Sequence, residues 1–192
     1  MKIKINIAEV MILVGVLTLL FHSSDPVEHT DSSRYLSGSL LDPPMYGTII
    51  FILQTLFGTL KSVIVFQTLL IGFSIIYFTR TMSNIFDLNS ITKIIVSFFL
   101  FIPILQFYDN LLTEPLGYAL SLLFVSLSIR LIYNFNIKNI IWSIIFATAL
   151  LLTRNQFIFL YPVILLFFLG IFFLNNSKKD IAKLLLSSFF II

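Results

Sequence analysis

The 192-residue chain is 58% hydrophobic and 11% charged, with a mean hydropathy of +1.04 and a formal net charge of +3. A soluble domain carries roughly a quarter charged residues, so this composition excludes an ordinary water-soluble domain and predicts an integral membrane protein. The absence of cysteine excludes disulfides, thiolate catalysis and thiolate metal sites. The basic residues are dispersed, which argues against a nucleic-acid partner.

Apolar stretches long enough to cross a membrane recur along the chain. A transmembrane helix needs about 20 apolar residues, and the pattern predicts spans at 5–21, 59–78, 91–107, 114–133, 139–153 and 156–174. A shorter apolar element precedes the second span, and a further apolar segment ends the sequence; these lie at 46–58 and 181–192. We therefore predict an all-α fold, a polytopic bundle of about six or seven transmembrane helices, with residues 1–192 forming one transmembrane domain.

The positions of lysine and arginine predict the orientation of the chain. If the N terminus is cytoplasmic, the cytoplasmic turns contain nine of the twelve basic residues, namely Lys2, Lys4, Arg80, Lys93, Arg130, Lys138, Lys178, Lys179 and Lys183. Basic residues favour the cytoplasmic side of membrane proteins. We therefore expect a multi-pass protein of the cytoplasmic membrane whose first extracytoplasmic loop is 22–47.

The opposite, extracytoplasmic face contains most of the polar chemistry. Three segments contribute to it, the loop "HTDSSRYLSGSLLDPPMYG" (29–47) and the turns "QFYDNLLTEPLGYAL" (106–120) and "LLTRNQFIFLYP" (151–162), together with the interfacial Lys61. Six of the nine acidic residues lie there. Charges that flank or enter apolar spans are costly, and they are functional candidates for that reason.

These segments resemble the GT-C superfamily of membrane glycosyltransferases, in particular the branch of protein O-mannosyltransferases and lipid A aminoarabinose transferases. The resemblance consists of an Asp shortly before a Tyr in the first outer loop, a "PPMY" start to a short apolar element ending "LFG", the Glu-Pro of "LLTEPLGYALSLLFVSL" and the Arg of "LLTRNQFIFLYPVILL". Asn155 departs from the pattern, because Arg-Pro is commoner in the family. The resemblance covers nearly the whole chain, and the common order and sidedness of these motifs is more specific than any one of them.

The resemblance implies an inverting transfer of a sugar from a polyprenyl-phosphate donor to a lipid, glycan or protein acceptor outside the membrane. Such a reaction needs a carboxylate as general base and cations at the leaving phosphate. The residues implied are Asp31 as base; Arg154, Lys61 and Arg34 at the donor phosphate; Glu114 and Asp109 as acceptor-binding or secondary acidic residues; and Tyr35 and Tyr46 as further loop residues. No cofactor is required, and the secondary role of Glu114 is directed towards the acceptor, Arg154 or a divalent metal ion.

Each of these residues also has a purely structural interpretation. Asp31 is a suitable N-cap for a short interfacial helix. Glu114 before Pro115 is typical of the start of a span, where the helix dipole favours an acid. Arg154 is suited to anchor the chain at the headgroups. Asp42 and Asp109 are most simply interpreted as solvated loop residues.

Two other functions stay open at this point. One is a non-catalytic membrane protein, such as a transporter subunit, although transporter spans usually carry polar groups or breaks near the midplane, and the interiors of these spans are nearly featureless. The other is an inactive, truncated glycosyltransferase, or the N-terminal part of a longer enzyme.

Overall fold

The computed structural model describes residues 6–23, 25–37 and 42–154, together with the single residues 156, 162, 164, 166 and 170. This part of the chain is 81% helical and contains no strand; one isolated bridge joins Val27 to Asn110. The predicted all-α fold class is confirmed for these residues. The predicted segments 156–174 and 181–192, and the basic residues Lys2, Lys4, Lys178, Lys179 and Lys183, lie wholly or mostly outside the described part.

The described residues form eight helices in chain order. They are α1 (Ile7–His22), α2 (Thr30–Leu36), α3 (Pro44–Phe57), α4 (Lys61–Phe86), α5 (Ser90–Phe101), α6 (Ile104–Phe107), α7 (Thr113–Tyr133) and α8 (Ile137–Leu151). Each predicted span up to residue 153 therefore contains a helix. The predicted span 91–107 is divided into α5 and α6 by a turn at Ile102 and Pro103, because a proline ring opposes an uninterrupted helix.

Three helical segments are long and apolar enough to cross a membrane, namely α4, α5 together with α6 (Ser90–Phe107), and α7. The helices α1, α3 and α8 are also apolar, but they contain only 10–17 residues each. Length and composition thus identify three candidate membrane spans among the described residues, whereas a total of six or seven stays a prediction.

Contacts between α1 and α4 define the two ends of the bundle. The Arg80 guanidinium donates to both carboxylate oxygens of Glu9, at 2.6 and 2.7 Å. The ammonium group of Lys61 donates to the carbonyl oxygen of Ser23, at 3.0 Å. Glu9 lies in the first turn of α1 and Ser23 follows its last residue, so α1 and α4 are antiparallel.

We name the two ends after their glutamates. The Glu9 end comprises residues 6–9, 80–93 and 130–138, and the Glu114 end comprises residues 22–23, 25–37, 42–46, 58–61, 108–114 and 151–154. Helix α7 is parallel to α4, because Gln67 Nε2 donates to the Leu112 carbonyl at 3.1 Å and Arg130 Nε donates to Thr81 Oγ1 at 3.0 Å. Helix α8 then returns to the Glu114 end.

Helix α3 lies across the Glu114 end rather than running through the bundle. At its start, the amide of Met45 donates to the carbonyl of Leu152, beyond the end of α8, at 3.2 Å. At its other end, Gly58 terminates the helix in the left-handed conformation, with φ 72°, which glycine adopts without a steric cost. Lys61 follows at once and contacts the end of α1. A 14-residue helix is about 21 Å long, and both of its ends are attached to the same end of the bundle.

Close packing of α1 against α4 forms much of the core. A Cβ atom on Gly72 would lie 2.6 Å from Val16 Cγ2, so only glycine permits this approach of the two helices. Small residues allow apolar helices to gain van der Waals contact where water supplies no driving force. Buried Ile12, Ile71 and Ile75 surround the contact.

The Glu9 carboxylate is the most deeply buried charge in the described part of the chain that takes part in an ion pair, since its side chain is 3% exposed. Besides the two bonds from Arg80, it accepts a hydrogen bond from Asn6 Nδ2 at 3.0 Å. Asn6 Oδ1 in turn accepts from the Glu9 amide at 2.9 Å, which caps α1. These contacts fix the start of α1 against α4.

We expect Arg80→Gln to destabilise the protein by about 3 kcal/mol, because a buried carboxylate would lose its cation. The matched double variant, Glu9→Gln with Arg80→Gln, should melt at a higher temperature than Arg80→Gln alone, since it leaves no unpaired charge. Thermal unfolding in detergent micelles, followed by far-ultraviolet circular dichroism, measures both. If Arg80→Gln alone melts at the same temperature as the wild-type protein, the Glu9–Arg80 pair does not hold α1 against α4.

Candidate functional site

Asp31 lies on the surface of the Glu114 end, in the first turn of α2. The N-cap of this helix is His29, so the interpretation of Asp31 as the N-cap is wrong, although the helix dipole still favours its charge. The Asp31 side chain is 52% exposed, and its Oδ1 lies 3.5 Å from Arg34 NH1. Its carboxylate is therefore accessible to a ligand and is oriented by a neighbouring cation.

Arg34 is shared between two carboxylates. Its Nε donates to Asp42 Oδ2 at 3.1 Å, and its NH2 donates to Asp42 Oδ1 in a second bond. The Asp42 side chain is only 8% exposed, so the interpretation of Asp42 as a solvated loop residue is wrong. Its burial is possible because the guanidinium binds both carboxylate oxygens. The three residues together carry one net negative charge.

Hydrogen bonds attach the segment before and within α2 to the chain that precedes α7. The hydroxyl of Ser32 donates to the Leu111 carbonyl at 2.7 Å, in a buried contact. The amide of Val27 donates to the Asp109 carbonyl at 2.9 Å, and the Leu111 amide donates to the Val27 carbonyl at 3.0 Å. Asp109 thus takes part in the site region through its backbone, and Asp31 is held on a fixed support.

The second ion pair of the Glu114 end joins α7 to the end of α8. Glu114 lies in the first turn of α7, and Arg154 follows the last turn of α8. NH1 of Arg154 donates to Glu114 Oε1, and both side chains are partly exposed. Pro115 occupies the third helical position, where its missing N–H costs no helical hydrogen bond. The pair leaves Arg154 with surface available to a ligand.

The two tyrosines of the predicted site differ in their exposure. Their rings meet edge to face, with centroids 5.2 Å apart. Tyr46 is fully buried, and its hydroxyl accepts a hydrogen bond from Gln67 Nε2 at 3.0 Å. Burial raises the pKa of the Tyr46 phenol above its ordinary value, so the hydroxyl stays protonated. The Tyr46 side chain thus packs in the interior beneath α3, whereas Tyr35 is partly exposed.

A cavity of about 560 Å³ lies between α2 and α3. Arg34, Asp42 and Thr48 contribute polar groups to its wall, and Leu36, Ile50 and Phe51 contribute apolar surface. Glu114 and Arg154 are not among the described residues that line it. Asp31 is not among them either, so the cavity adjoins the Arg34–Asp42 pair, and its mixed lining suits an amphipathic molecule.

The structure brings the predicted residues together in two groups at one end of the bundle. Asp31 contacts Arg34, and Glu114 contacts Arg154; among the described residues no hydrogen bond or ion pair joins one group to the other. Lys61 belongs to neither group, since its ammonium group donates to the Ser23 carbonyl at the end of α1. No set of three His, Asp or Glu side chains with metal-binding geometry occurs in the described residues.

Two contributors to this region were not predicted as functional from the sequence. Gln67 donates hydrogen bonds to the Tyr46 hydroxyl and to the Leu112 carbonyl. The sequence feature that could identify it is an amide side chain inside an apolar span. Asp42 completes the Arg34 pair, but nothing in the local sequence indicates burial of a loop aspartate.

No protein-family model, curated protein or solved structure matches this chain. Functional conclusions therefore come from the chemistry of the Glu114 end itself.

Asp42→Asn and Asp31→Asn make the same chemical change at positions of different burial. We expect Asp42→Asn to destabilise by about 2 kcal/mol, because it breaks a buried, charge-assisted fork. Asp31→Asn should change stability by less than about 0.5 kcal/mol, since exposed ion pairs contribute little. Thermal unfolding and limited proteolysis of residues 22–47 measure the stability of both variants. Equal destabilisation by the two substitutions would contradict the difference in burial between Asp42 and Asp31.

Proposed function

We propose that the protein is a multi-pass membrane glycosyltransferase of the GT-C type, which transfers a sugar from a polyprenyl-phosphate donor to an acceptor hydroxyl outside the cytoplasmic membrane. The observation that supports this most is the concentration of accessible acid and base side chains at the Glu114 end of an otherwise apolar bundle. A reaction on a lipid-linked substrate needs such chemistry at the membrane surface, because the donor phosphate cannot enter the hydrocarbon core.

The charges of the two ends support an orientation with the Glu114 end outside. Among the described residues the Glu9 end contains four basic and two acidic side chains, namely Arg80, Lys93, Arg130, Lys138, Glu9 and Asp87. The Glu114 end contains six acidic and three basic side chains, namely Asp25, Glu28, Asp31, Asp42, Asp109, Glu114, Arg34, Lys61 and Arg154. Basic residues are favoured on the cytoplasmic side, so the N terminus is proposed to be cytoplasmic.

In the proposed reaction Asp31 is the general base. As the acceptor oxygen attacks the anomeric carbon, its proton passes to the Asp31 carboxylate and a new C–O bond forms with inversion. The bond between the anomeric carbon and the phosphate oxygen breaks, and the polyprenyl phosphate leaves with the electron pair. Arg34 is paired with Asp31 and Asp42, so its first role is to hold the Asp31 carboxylate in place.

Arg154 is the proposed main contact of the leaving phosphate, with Lys61 as a second cation. The guanidinium of Arg154 is partly exposed and uses one donor for Glu114, so other N–H groups are free to bind phosphate oxygens as negative charge develops there. Glu114 orients this guanidinium and contributes to the acceptor side or to a divalent ion. Asp109 has a secondary acidic role.

The buried hydroxyl groups argue against the alternative of a transporter subunit. In α4, Thr68 Oγ1 donates to the Ile64 carbonyl at 2.8 Å and Ser74 Oγ donates to the Ile71 carbonyl at 2.8 Å. In α7, Ser126 Oγ donates to the Leu122 carbonyl at 2.6 Å. These three hydroxyls are engaged by their own helices, and Thr79 Oγ1 pairs with Ser97 Oγ of α5. Ser128 and Ser143 have buried hydroxyls without a hydrogen-bond partner in the described residues, so it is the engaged hydroxyls of α4 and α7 that argue against a transport path.

The proposal is tested with membranes that contain the wild-type protein, Asp31→Asn or Asp87→Asn, in a strain that lacks the native gene. Sugar transfer to surface glycans, lipids and proteins, and the pool of polyprenyl-linked sugars, are measured by mass spectrometry. Asp31→Asn should lower transfer by about 100-fold or more, as loss of a general base does. The donor should accumulate at the same time.

Asp87→Asn is the matched control. It removes one carboxylate at the Glu9 end, and asparagine tolerates the left-handed backbone of this position, where φ is 48°. It should keep wild-type transfer. If deletion of the gene changes no glycan and no lipid-linked sugar, the transferase proposal is wrong. If deletion has an effect but Asp31→Asn has none, the base is misassigned.

A further inference from the structure

Arg130 lies at the opposite end from the proposed active site, and its partners among the described residues are neutral groups. It lies in the last turn of α7. Its guanidinium carbon lies 4.6 Å from the centre of the Tyr77 ring, and its Nε donates to Thr81 Oγ1 at 3.0 Å. Among the described residues no carboxylate lies within 4.0 Å of it. Arg130 therefore lies over an aromatic ring, and no carboxylate of the described residues neutralises its charge.

Arg80 provides the contrast, because it also lies at the Glu9 end but is neutralised. Both oxygens of the buried Glu9 carboxylate accept hydrogen bonds from it. Lys138, at the start of α8, is a third cation of this end and is exposed. The helix dipole favours any cation at the end of α7, but it does not account for a guanidinium that is stacked on a ring and has two free nitrogen atoms.

Exposed aromatic side chains lie beside Arg130. Tyr133 is on the same helix three residues later, and its ring meets Phe86 edge to face with centroids 5.8 Å apart. Tyr133 is 60% exposed and Phe86 is 49% exposed. Aromatic rings are enriched at the level of the lipid headgroups, where an apolar body meets a polar layer. A cation next to such rings is complementary to a lipid, because the cation suits an anionic headgroup and the rings suit the adjoining glycerol and acyl region.

We propose that Arg130 binds the phosphate of an anionic glycerophospholipid at the Glu9 end of the bundle. NH1 and NH2, which Thr81 leaves free, would donate to two phosphate oxygens, and the Phe86–Tyr133 pair would pack against the start of the acyl chains. The inference rests on insertion of the bundle in a membrane and not on transferase activity. A loss of sugar transfer in Asp31→Asn membranes therefore neither supports nor weakens it.

The single tryptophan of the chain provides a native reporter. Trp142 is exposed and lies in the first half of α8, towards the Glu9 end. We would titrate purified protein in mixed micelles with brominated phosphatidylglycerol or brominated phosphatidylcholine and follow quenching of its fluorescence. The wild-type protein should reach half-maximal quenching at an about fivefold lower fraction of the anionic lipid, since one interfacial basic side chain contributes about that factor.

Arg130→Gln should abolish this preference, and Arg130→Lys, which keeps the charge but loses the fork, should reduce it. Lys138→Gln is the matched control, because it removes the same charge one helical turn from the reporter; it should lower the preference less than Arg130→Gln does, since an exposed lysine lacks the planar donor fork of arginine. Arg130→Lys keeps the test decisive if Arg130→Gln fails to fold.

Three results would overturn the proposal. The first is a wild-type protein without preference for the anionic lipid. The second is an equal loss of preference in Lys138→Gln and Arg130→Gln, which would indicate a diffuse charge effect. The third is removal of the preference by sodium phosphate at an ionic strength matched with sodium chloride, which would indicate a site for free phosphate rather than for a lipid.

Discussion

A carboxylate that is buried against an apolar bundle has to be paired, and two ion pairs, one at each end, join helices in the described part of the chain. Glu9 and Arg80 join α1 to α4 at one end, and Glu114 and Arg154 join the start of α7 to the segment after α8 at the other. An unpaired carboxylate in the position of Glu9 would cost several kcal/mol. Between these pairs the interior is left to isoleucine, leucine and small residues, which pack closely.

The same requirement separates the roles of two aspartates in one loop. Asp42 is buried, and it is stable there because the Arg34 guanidinium binds both of its oxygens. Asp31 contacts the other side of Arg34 and stays exposed. Since α2 is attached to residues 109–111 by buried hydrogen bonds, Asp31 is an accessible carboxylate on a rigid support. This is the property that a general base requires, and it is why Asp31 rather than Asp42 carries the proposed chemistry.

Apolar stretches located the helices correctly because burial in lipid or in a core requires continuous apolar sequence over a known length. The short element 46–58 and the span 59–78 were separable for the same reason, and Gly58 marks their boundary in the structure. The pairings were not predictable in this way. Glu9 and Arg80 are 71 positions apart and Glu114 and Arg154 are 40 apart, and no local pattern relates their partners. The sequence indicates Arg80 only as a basic residue of a turn, and Asp42 only as a solvated loop residue.

In the proposed orientation the Glu114 end, with its accessible acids and bases, faces outward from a membrane that the bundle crosses. Because the chain has no cysteine, single exposed cysteines report on each end without background. Ser33→Cys lies in α2 beside Asp31, and Asn84→Cys lies at the Glu9 end near the end of α4. A membrane-impermeant maleimide applied to intact cells should label Ser33→Cys, whereas Asn84→Cys should be labelled only after the membrane is permeabilised. Labelling of Asn84→Cys alone in intact cells, or equal labelling of both variants, would contradict the account.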